Sequence, residues 1–196
     1  MFSEQYDEES FKSGHLQQDY LLQVHLNEYR KLKDEQIARI IMREHMIYVT
    51  LGVFGGVSSY ALHEGQYYAF LVIPWVCVIL GWLYLTTDEK VSAIGEYIRH
   101  DLTEHLAKLT ASPAEMLLLG WEIKHRSDGH RRSRKIFQMI IDQLTFVIPG
   151  LIALAMFWLK QFSFNKWFTI IWIIELVLLL GLGVLIVMTT DFKKGR

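Results

Sequence analysis

A single cysteine, Cys77, stands among 196 residues, so no intrachain disulfide can staple this chain. It falls inside an apolar segment, where a free thiol packs as a small hydrophobe. A basic surplus is missing as well: 20 Lys and Arg against 21 Asp and Glu leave a formal net charge of -1, which gives no electrostatic footprint for nucleic acid. The eight histidines include no His-Glu-x-x-His pattern, no adjacent cysteine and no short histidine pair with a carboxylate between. His100 and His105, five apart, point to different sides of a helix. There is no phosphate loop, nucleophile elbow or dinucleotide fingerprint, and Gly181-x-Gly183 lies in an apolar helix rather than after a strand. Neither metal nor cofactor nor enzymatic activity is expected. Residues 1–43 hold an acidic start and no short apolar core, so a cleaved secretory signal is not expected either.

Charge is scarce in two places above all. Charged residues nearly vanish over 46–87 and 143–190 while they crowd the remainder, a segregation between two solvents, lipid and water. The composition agrees, with 52% of residues in the hydrophobic set and a mean hydropathy of +0.20. Each apolar block carries a short polar separator, His63 to Gln66 in the first and Lys160 to Lys166 in the second. A helix needs about 20 residues to cross about 30 Å of hydrocarbon, and each arm supplies about that length. The expected fold is an all-α membrane protein with four transmembrane helices arranged as two hairpins and with cytoplasmic helical extensions. Its parts are a flexible acidic N-terminus (1–15), a cytoplasmic amphipathic helix (16–45), a first transmembrane hairpin (46–87), a cytoplasmic helical linker region (88–135), a second transmembrane hairpin (136–190) and a cytoplasmic tail (191–196). The first arm is only mildly apolar because of Gly52, Gly55, Gly56, Ser58 and Ser59, and a surface-lying or re-entrant helix is its alternative.

Orientation follows from Lys and Arg. Six precede the first crossing, nine lie between the two blocks and three follow the last crossing, whereas the hairpin tips hold only Lys160 and Lys166. Termini and central region are therefore expected inside, in the cytoplasm of a cell with an inner membrane. Trp167, Trp158, Tyr67 and Tyr68 suit an outer aromatic belt, Trp82 and Tyr84 the inner one.

The polar regions read as helices. Leu26, Tyr29, Leu32, Ile37, Ile40 and Ile41 form a stripe before the first crossing, with Gly14 as its near limit. Val91, Ile94, Ile98, Leu102, His105, Leu106 and Leu109 form another, stopping near Thr110. Ser112-Pro113-Ala114-Glu115 has the form of a capping box and opens a short helix to His125, ended by Ser127-Asp128-Gly129. The first stripe must bury against the central region, the membrane surface or a second copy of the chain.

At residues 28–40, Glu28-Tyr29-Arg30-Lys31-Leu32-Lys33-Asp34-Glu35-Gln36-Ile37-Ala38-Arg39-Ile40, and again from Gly81-Trp82 through Asp88 to Ile94-Gly95-Glu96-Tyr97-Ile98-Arg99, the chain resembles a widespread group of small bacterial multi-pass membrane proteins without an assigned biochemical activity. The second block is similar to that group only through Gly120-Trp121-Glu122 and Pro149-Gly150. The resemblance implies a membrane effector associated with defence or signalling and implies no catalytic residue.

Glu175 is the most unusual residue. It lies about 12 Å beyond Trp167 along a straight helix, in a crossing of Ile, Leu and Val. A charged carboxylate there is costly unless it is protonated, hydrated or paired. It reads as a proton or cation site or a pore-lining group, or else as a neutral carboxyl bonded to Ser58, Thr50 or a backbone carbonyl. Asp142 sits near the inner boundary, within the snorkelling reach of Arg43, His45 or Arg134, as an interfacial ion pair or a second intramembrane polar group. Arg126, His130, Arg131, Arg132, Arg134 and Lys135 crowd the approach to the third crossing, where they set topology or hold anionic lipid or a phosphorylated ligand. Gly52, Gly55, Gly56 and Gly181 offer faces for close helix packing.

These residues lead to an oligomeric ion channel or membrane-perturbing effector controlled through its cytoplasmic helices. A non-conductive membrane adaptor recruiting a cytoplasmic partner is the alternative, and a small proton- or cation-coupled transporter is the third. Lipids and a second copy of the chain are the expected partners, with a cytoplasmic protein or small molecule as activator. The topology predicts that cysteines placed at Gln66 and Ser163 react with a membrane-impermeant maleimide from outside, and those at Ser112, Ser127 and Gly195 only from the cytoplasmic side. Outside labelling at Ser112 or Ser127 would invert it.

Overall fold

The computed structural model describes residues 2–109, 131–160 and 166–190, with side chains from residue 16 in the first stretch and residue 133 in the second. All the regular structure among them is helical: α1 (Phe2–His63), a 3-10 turn (Tyr67–Leu71), α2 (Val72–Tyr97), a π-turn (Ile98–Leu102), α3 (Thr103–Leu109), α4 (Arg131–Phe146), α5 (Ile148–Lys160) and α6 (Lys166–Thr189). Four helical segments are long and apolar enough to cross a membrane: Leu16–His63, Tyr67–Leu109, Ser133–Lys160 and Lys166–Thr189. The capping box, the short helix after it, Arg126 and His130 lie outside the described residues, as do the side chains of Arg131 and Arg132.

Helix α1 begins at Phe2 and continues through Gly14. An isolated glycine such as Gly14 costs a helix only about 1 kcal/mol, too little to end one propagating from both sides. The chain turns after His63 at Gly65, whose φ of +68° is a left-handed conformation open to glycine without a Cβ penalty. Pro74 falls in the first turn of α2, where its missing N–H costs least. Pro149 stands at the second residue of α5 and separates that helix from α4 at Val147, because its ring cannot bond the carbonyl four residues back. The amides on either side still close, Val147 N–H to the Gln143 carbonyl and Leu151 N–H to the Val147 carbonyl, each at 3.0 Å, so helical bonding resumes on both sides of the proline.

The chain divides into two compact units, one of Met1–Arg39 with Lys90–Asp128 and one of Ile40–Glu89 with Gly129–Arg196. In the first unit Ile98, Leu102 and Leu106 are buried against Leu22, Tyr29, Leu32 and Ile94. Tyr29 and Leu32, two members of the stripe considered for contact between copies, are thus covered within the chain. Leu26, Ile37, Ile40 and Ile41 are exposed. The covered face runs Leu22, Tyr29, Leu32 and the polar Gln36, whose amide reaches the Val91 carbonyl at 3.3 Å. The two π-turn residues Ile98 and Leu102 continue to Leu106 at intervals of four, which keeps all three on one side.

The second unit holds two apolar clusters. One gathers Ala61, Phe70, Leu71, Ile73, Cys77, Ala153, Leu154, Phe157 and Leu179; the other gathers Met46, Tyr84, Leu85, Phe146, Val147, Leu182 and Ile186. Helix α1 contributes Met46, Thr50, Phe54, Val57 and Ala61, spaced by three and four, and leaves Tyr48, Val49, Leu51, Tyr60 and Leu62 exposed. Apolar surface in lipid gains little from hydrophobic burial, so contact distance decides how well such helices hold. The glycines that set it are not those singled out in the sequence. Nothing lies within 4 Å of a Cβ added at Gly52, Gly55, Gly56 or Gly181, whereas one at Gly81 would come 2.7 Å from a Leu182 methyl and 3.2 Å from Phe146 Cβ, and one at Gly150 would come 2.7 Å from Leu179. The faces named for packing therefore look out of this chain, and the close approaches fall on Gly81 and Gly150.

Overpacking at a tight contact costs about 1–3 kcal/mol. Gly81→Val should lower unfolding stability in detergent by that amount, while Gly56→Val in dilute protein should change it by less than about 0.5 kcal/mol, as open helix surface does. Equal losses at the two positions would show that the Gly81 contact is not formed.

Candidate functional site

Two polar groupings lie inside the second unit, at different ends of its helices. The first is built around Arg43 on α1. Its guanidinium donates from Nη1 to Asp88 Oδ1 and from Nη2 to the Tyr84 hydroxyl at 2.8 Å, and its central carbon stands 4.7 Å from the Tyr84 ring centroid. Tyr84 and Asp88 are four apart on α2 and share a face. The pair is largely covered, with Arg43 19% and Asp88 29% exposed at the side chain. Tyr84 is buried and packs its ring on Phe146 with centroids 5.0 Å apart, so the hydroxyl that receives Arg43 is held by the apolar cluster beneath it.

Asp142 on α4 joins this grouping. It lies within electrostatic reach of Arg43 and Lys135 and within hydrogen-bonding reach of the Tyr84 hydroxyl. It is only 6% exposed, and its Oδ1 is buried with no hydrogen-bond partner among the described residues. Of the three basic residues considered for it, Arg43 is engaged chiefly by Asp88 and Tyr84, and His45 turns its Nδ1 to the Ile41 carbonyl of its own helix at 2.8 Å. A half-open recess adjoins the group, lined by Tyr84, Asp88, Lys135, Gln138, Asp142 and Thr190 among others. The three threonines nearby, Thr87, Thr189 and Thr190, each spend their hydroxyl proton on a carbonyl one turn back, leaving oxygen lone pairs as acceptors.

The second grouping is Glu175 on α6. It is 1% exposed, and neither carboxyl oxygen has a hydrogen bond of ordinary geometry among the described residues. The Trp75 side chain of α2 lies close beside it, and Ser58 of α1 has a buried hydroxyl that is also without a partner. Thr50, considered as a bonding partner for Glu175, instead gives its hydroxyl to the Met46 carbonyl at 2.8 Å. Elsewhere in the same unit, Trp172 Nε1 donates to the Leu154 carbonyl at 3.1 Å and Gln143 Nε2 donates to the Gly183 carbonyl at 2.7 Å. Asp142 and Glu175 belong to separate surroundings and make no paired-carboxylate site.

The first unit adds a third polar cluster that spacing in the sequence did not reveal. His25 and His105 stack with centroids 5.7 Å apart and ring planes 10° from parallel. His25 Nδ1 lies 3.3 Å from one Glu28 oxygen, and the Tyr97 hydroxyl donates to the other at 2.7 Å. Among the described residues no three His, Cys, Asp or Glu side chains converge as metal ligands. This cluster ties α1 to α2 and α3 within its unit. The Arg43 grouping was partly legible, since Tyr84 and Asp88 stand at helical spacing where the apolar run ends; the pairing of His25 with His105, 80 residues apart, had no local signal.

Breaking one partner of a covered ion pair leaves the other charge uncompensated. A double-mutant cycle of Arg43→Gln and Asp88→Asn, read by unfolding in detergent, should give a coupling of about 1–2 kcal/mol. A coupling below about 0.3 kcal/mol would mark a solvent-screened contact of the surface kind.

No protein-family model, curated protein or solved structure matches the chain, so its function rests on sequence and geometry alone.

Proposed function

We propose that the chain is a multi-pass inner-membrane protein that acts as a non-conducting adaptor, anchoring a helical cytoplasmic unit that recruits a protein partner. The observation that carries this reading is the burial of Glu175 inside its own four-segment bundle. A conducting path shared by several copies has to be lined by groups on the outer faces of each bundle, and of the two intramembrane carboxylates expected to line it Glu175 is 1% and Asp142 6% exposed. We prefer the adaptor reading to the conductive one, which led on sequence alone, for that reason.

Two hairpins with both termini inside are supported by the Lys and Arg distribution and, for the second block, by the order of contacts. Leu154 meets Trp172, Gly150 meets Leu179 and Gln143 meets Gly183, as in an antiparallel pair. The recruiting surface is the exposed apolar flank of α1 in the first unit that carries Leu26 and Ile37, eleven residues and about three turns apart, which an amphipathic partner helix can cover. Self-association is supported by the open small-residue face at Gly52, Gly55 and Gly56. The resemblance to defence-associated membrane proteins fits an adaptor as well as an effector. A second reading, a proton- or cation-coupled transporter working within one subunit, draws on the unpartnered carboxyl oxygens of Glu175.

Purified protein in liposomes should pass neither protons nor monovalent cations, and Glu175→Gln should behave like wild type. In cells, a photo-crosslinking residue at Ile37 should give an adduct with a second polypeptide, and Leu26→Asp should abolish it. Flux that disappears in Glu175→Gln would establish the transporter in its place, and an Ile37 probe that captures lipid only would remove the recruiting surface. Detergent-corrected mass measurement should show a homo-oligomer that Gly52→Leu reduces to monomer.

A further inference from the structure

The recess beside Asp142 has a use that anchoring alone does not explain. Its lining carries both acceptors and donors. Acceptors are the Asp142 carboxylate, with the buried Oδ1 unpartnered among the described residues, and the Thr189 and Thr190 oxygens, whose protons are already committed to backbone carbonyls. Donors are the Lys135 ammonium and the Gln138 amide, both on α4 one to two turns before Asp142. Arg43 spends its hydrogen bonds on Asp88 and Tyr84 and acts on Asp142 through its charge alone. With two acids, Asp88 and Asp142, and two bases, Arg43 and Lys135, the formal charge of the group is balanced, so a simple anion or a simple cation finds no net attraction there. A ligand that carries both signs a few ångströms apart does.

We propose that this recess receives the headgroup of an aminophospholipid of the phosphatidylethanolamine kind, its primary ammonium donating to Asp142 and its phosphate resting on Lys135 and Gln138. An ammonium has three N–H donors and no acceptor, which suits the Asp142 carboxylate and the two threonine oxygens. A quaternary choline headgroup has the same charge and no N–H, so it makes none of these bonds. The apolar side of the recess, Leu85, Met139 and Ile186, lies where the glycerol and the first acyl carbons would run. Its place in the chain agrees: Lys135 and Thr190 flank the apolar segments of α4 and α6, at the level where headgroups sit.

The experiment is native mass spectrometry of the purified full-length protein after exchange into mixed micelles holding equal amounts of phosphatidylethanolamine, its N-methyl and N,N-dimethyl derivatives, phosphatidylcholine and phosphatidylglycerol. One lipid per chain should be retained. A charge-assisted hydrogen bond should make retention of the primary amine about tenfold stronger than that of the choline lipid, falling stepwise with methylation. Asp142→Asn should erase the discrimination between amine and choline lipids. Lys135→Gln should weaken both lipids together and keep their ratio, which serves as the control if Asp142→Asn fails to fold. Soluble phosphoethanolamine should fail to displace the lipid at millimolar concentration. Equal retention of amine and choline lipids by wild type, an unchanged preference in Asp142→Asn, a Lys135→Gln protein that binds as wild type does, or displacement by the soluble headgroup would each overturn the proposal. Preference for phosphatidylglycerol would replace it with ordinary attraction of basic residues to anionic lipid.

Discussion

The grip of Arg43 on Asp88 and Tyr84 is the contact on which the polar end of the apolar unit depends. Where water thins out, a guanidinium draws on partners within the protein, and Arg43 of α1 finds two of them four apart on α2 while its Nε stays without a partner among the described residues. Tyr84 can serve because Phe146 and the cluster of Met46, Leu85 and Leu182 hold its ring from below. The polar contact and the apolar packing are therefore one construction, and Asp142 enters as its edge, facing the same hydroxyl and a recess.

Interior geometry in the rest of the unit is set by contact distance. Helices α2, α4 and α6 meet where Gly81 leaves room for Leu182 and Phe146, and α5 meets α6 where Gly150 leaves room for Leu179. The long apolar helix α6 adds two interior polar features of opposite kind: the Gly183 carbonyl, which accepts the Gln143 amide, and Glu175, whose oxygens have no hydrogen bond of ordinary geometry among the described residues. The first feature fastens two helices together. The second is the unbalanced group of the interior, and its burial within a single subunit is what turns the functional reading from conduction toward anchoring.

The first unit packs around one apolar cluster of its own. Ile98, Leu102 and Leu106 are covered by Leu22, Tyr29, Leu32 and Ile94, and the His25–His105 stack with the Glu28–Tyr97 hydrogen bond closes the margin. The stripe read from the sequence mixed this covered face with the exposed positions Leu26, Ile37, Ile40 and Ile41, because intervals of three, four and five residues fit two neighbouring faces of one helix about equally well.

The sequence by itself determined the all-helical class and the four apolar segments, since a run of about 20 residues with almost no charge has no other stable form in lipid than a helix. It also determined where those segments end, because Gly65, Lys160 and Lys166 interrupt the apolar runs locally. Only the tertiary structure decided which side of each helix faces inward: that Glu175 is enclosed, that Gly81 and Gly150 rather than Gly52, Gly55, Gly56 and Gly181 take the close contacts, and that Arg43 binds Asp88 before Asp142. In a helix that is apolar all round, as α6 is, hydrophobicity does not distinguish a protein-facing side from a lipid-facing one, and the choice rests on distances between residues far apart in the chain.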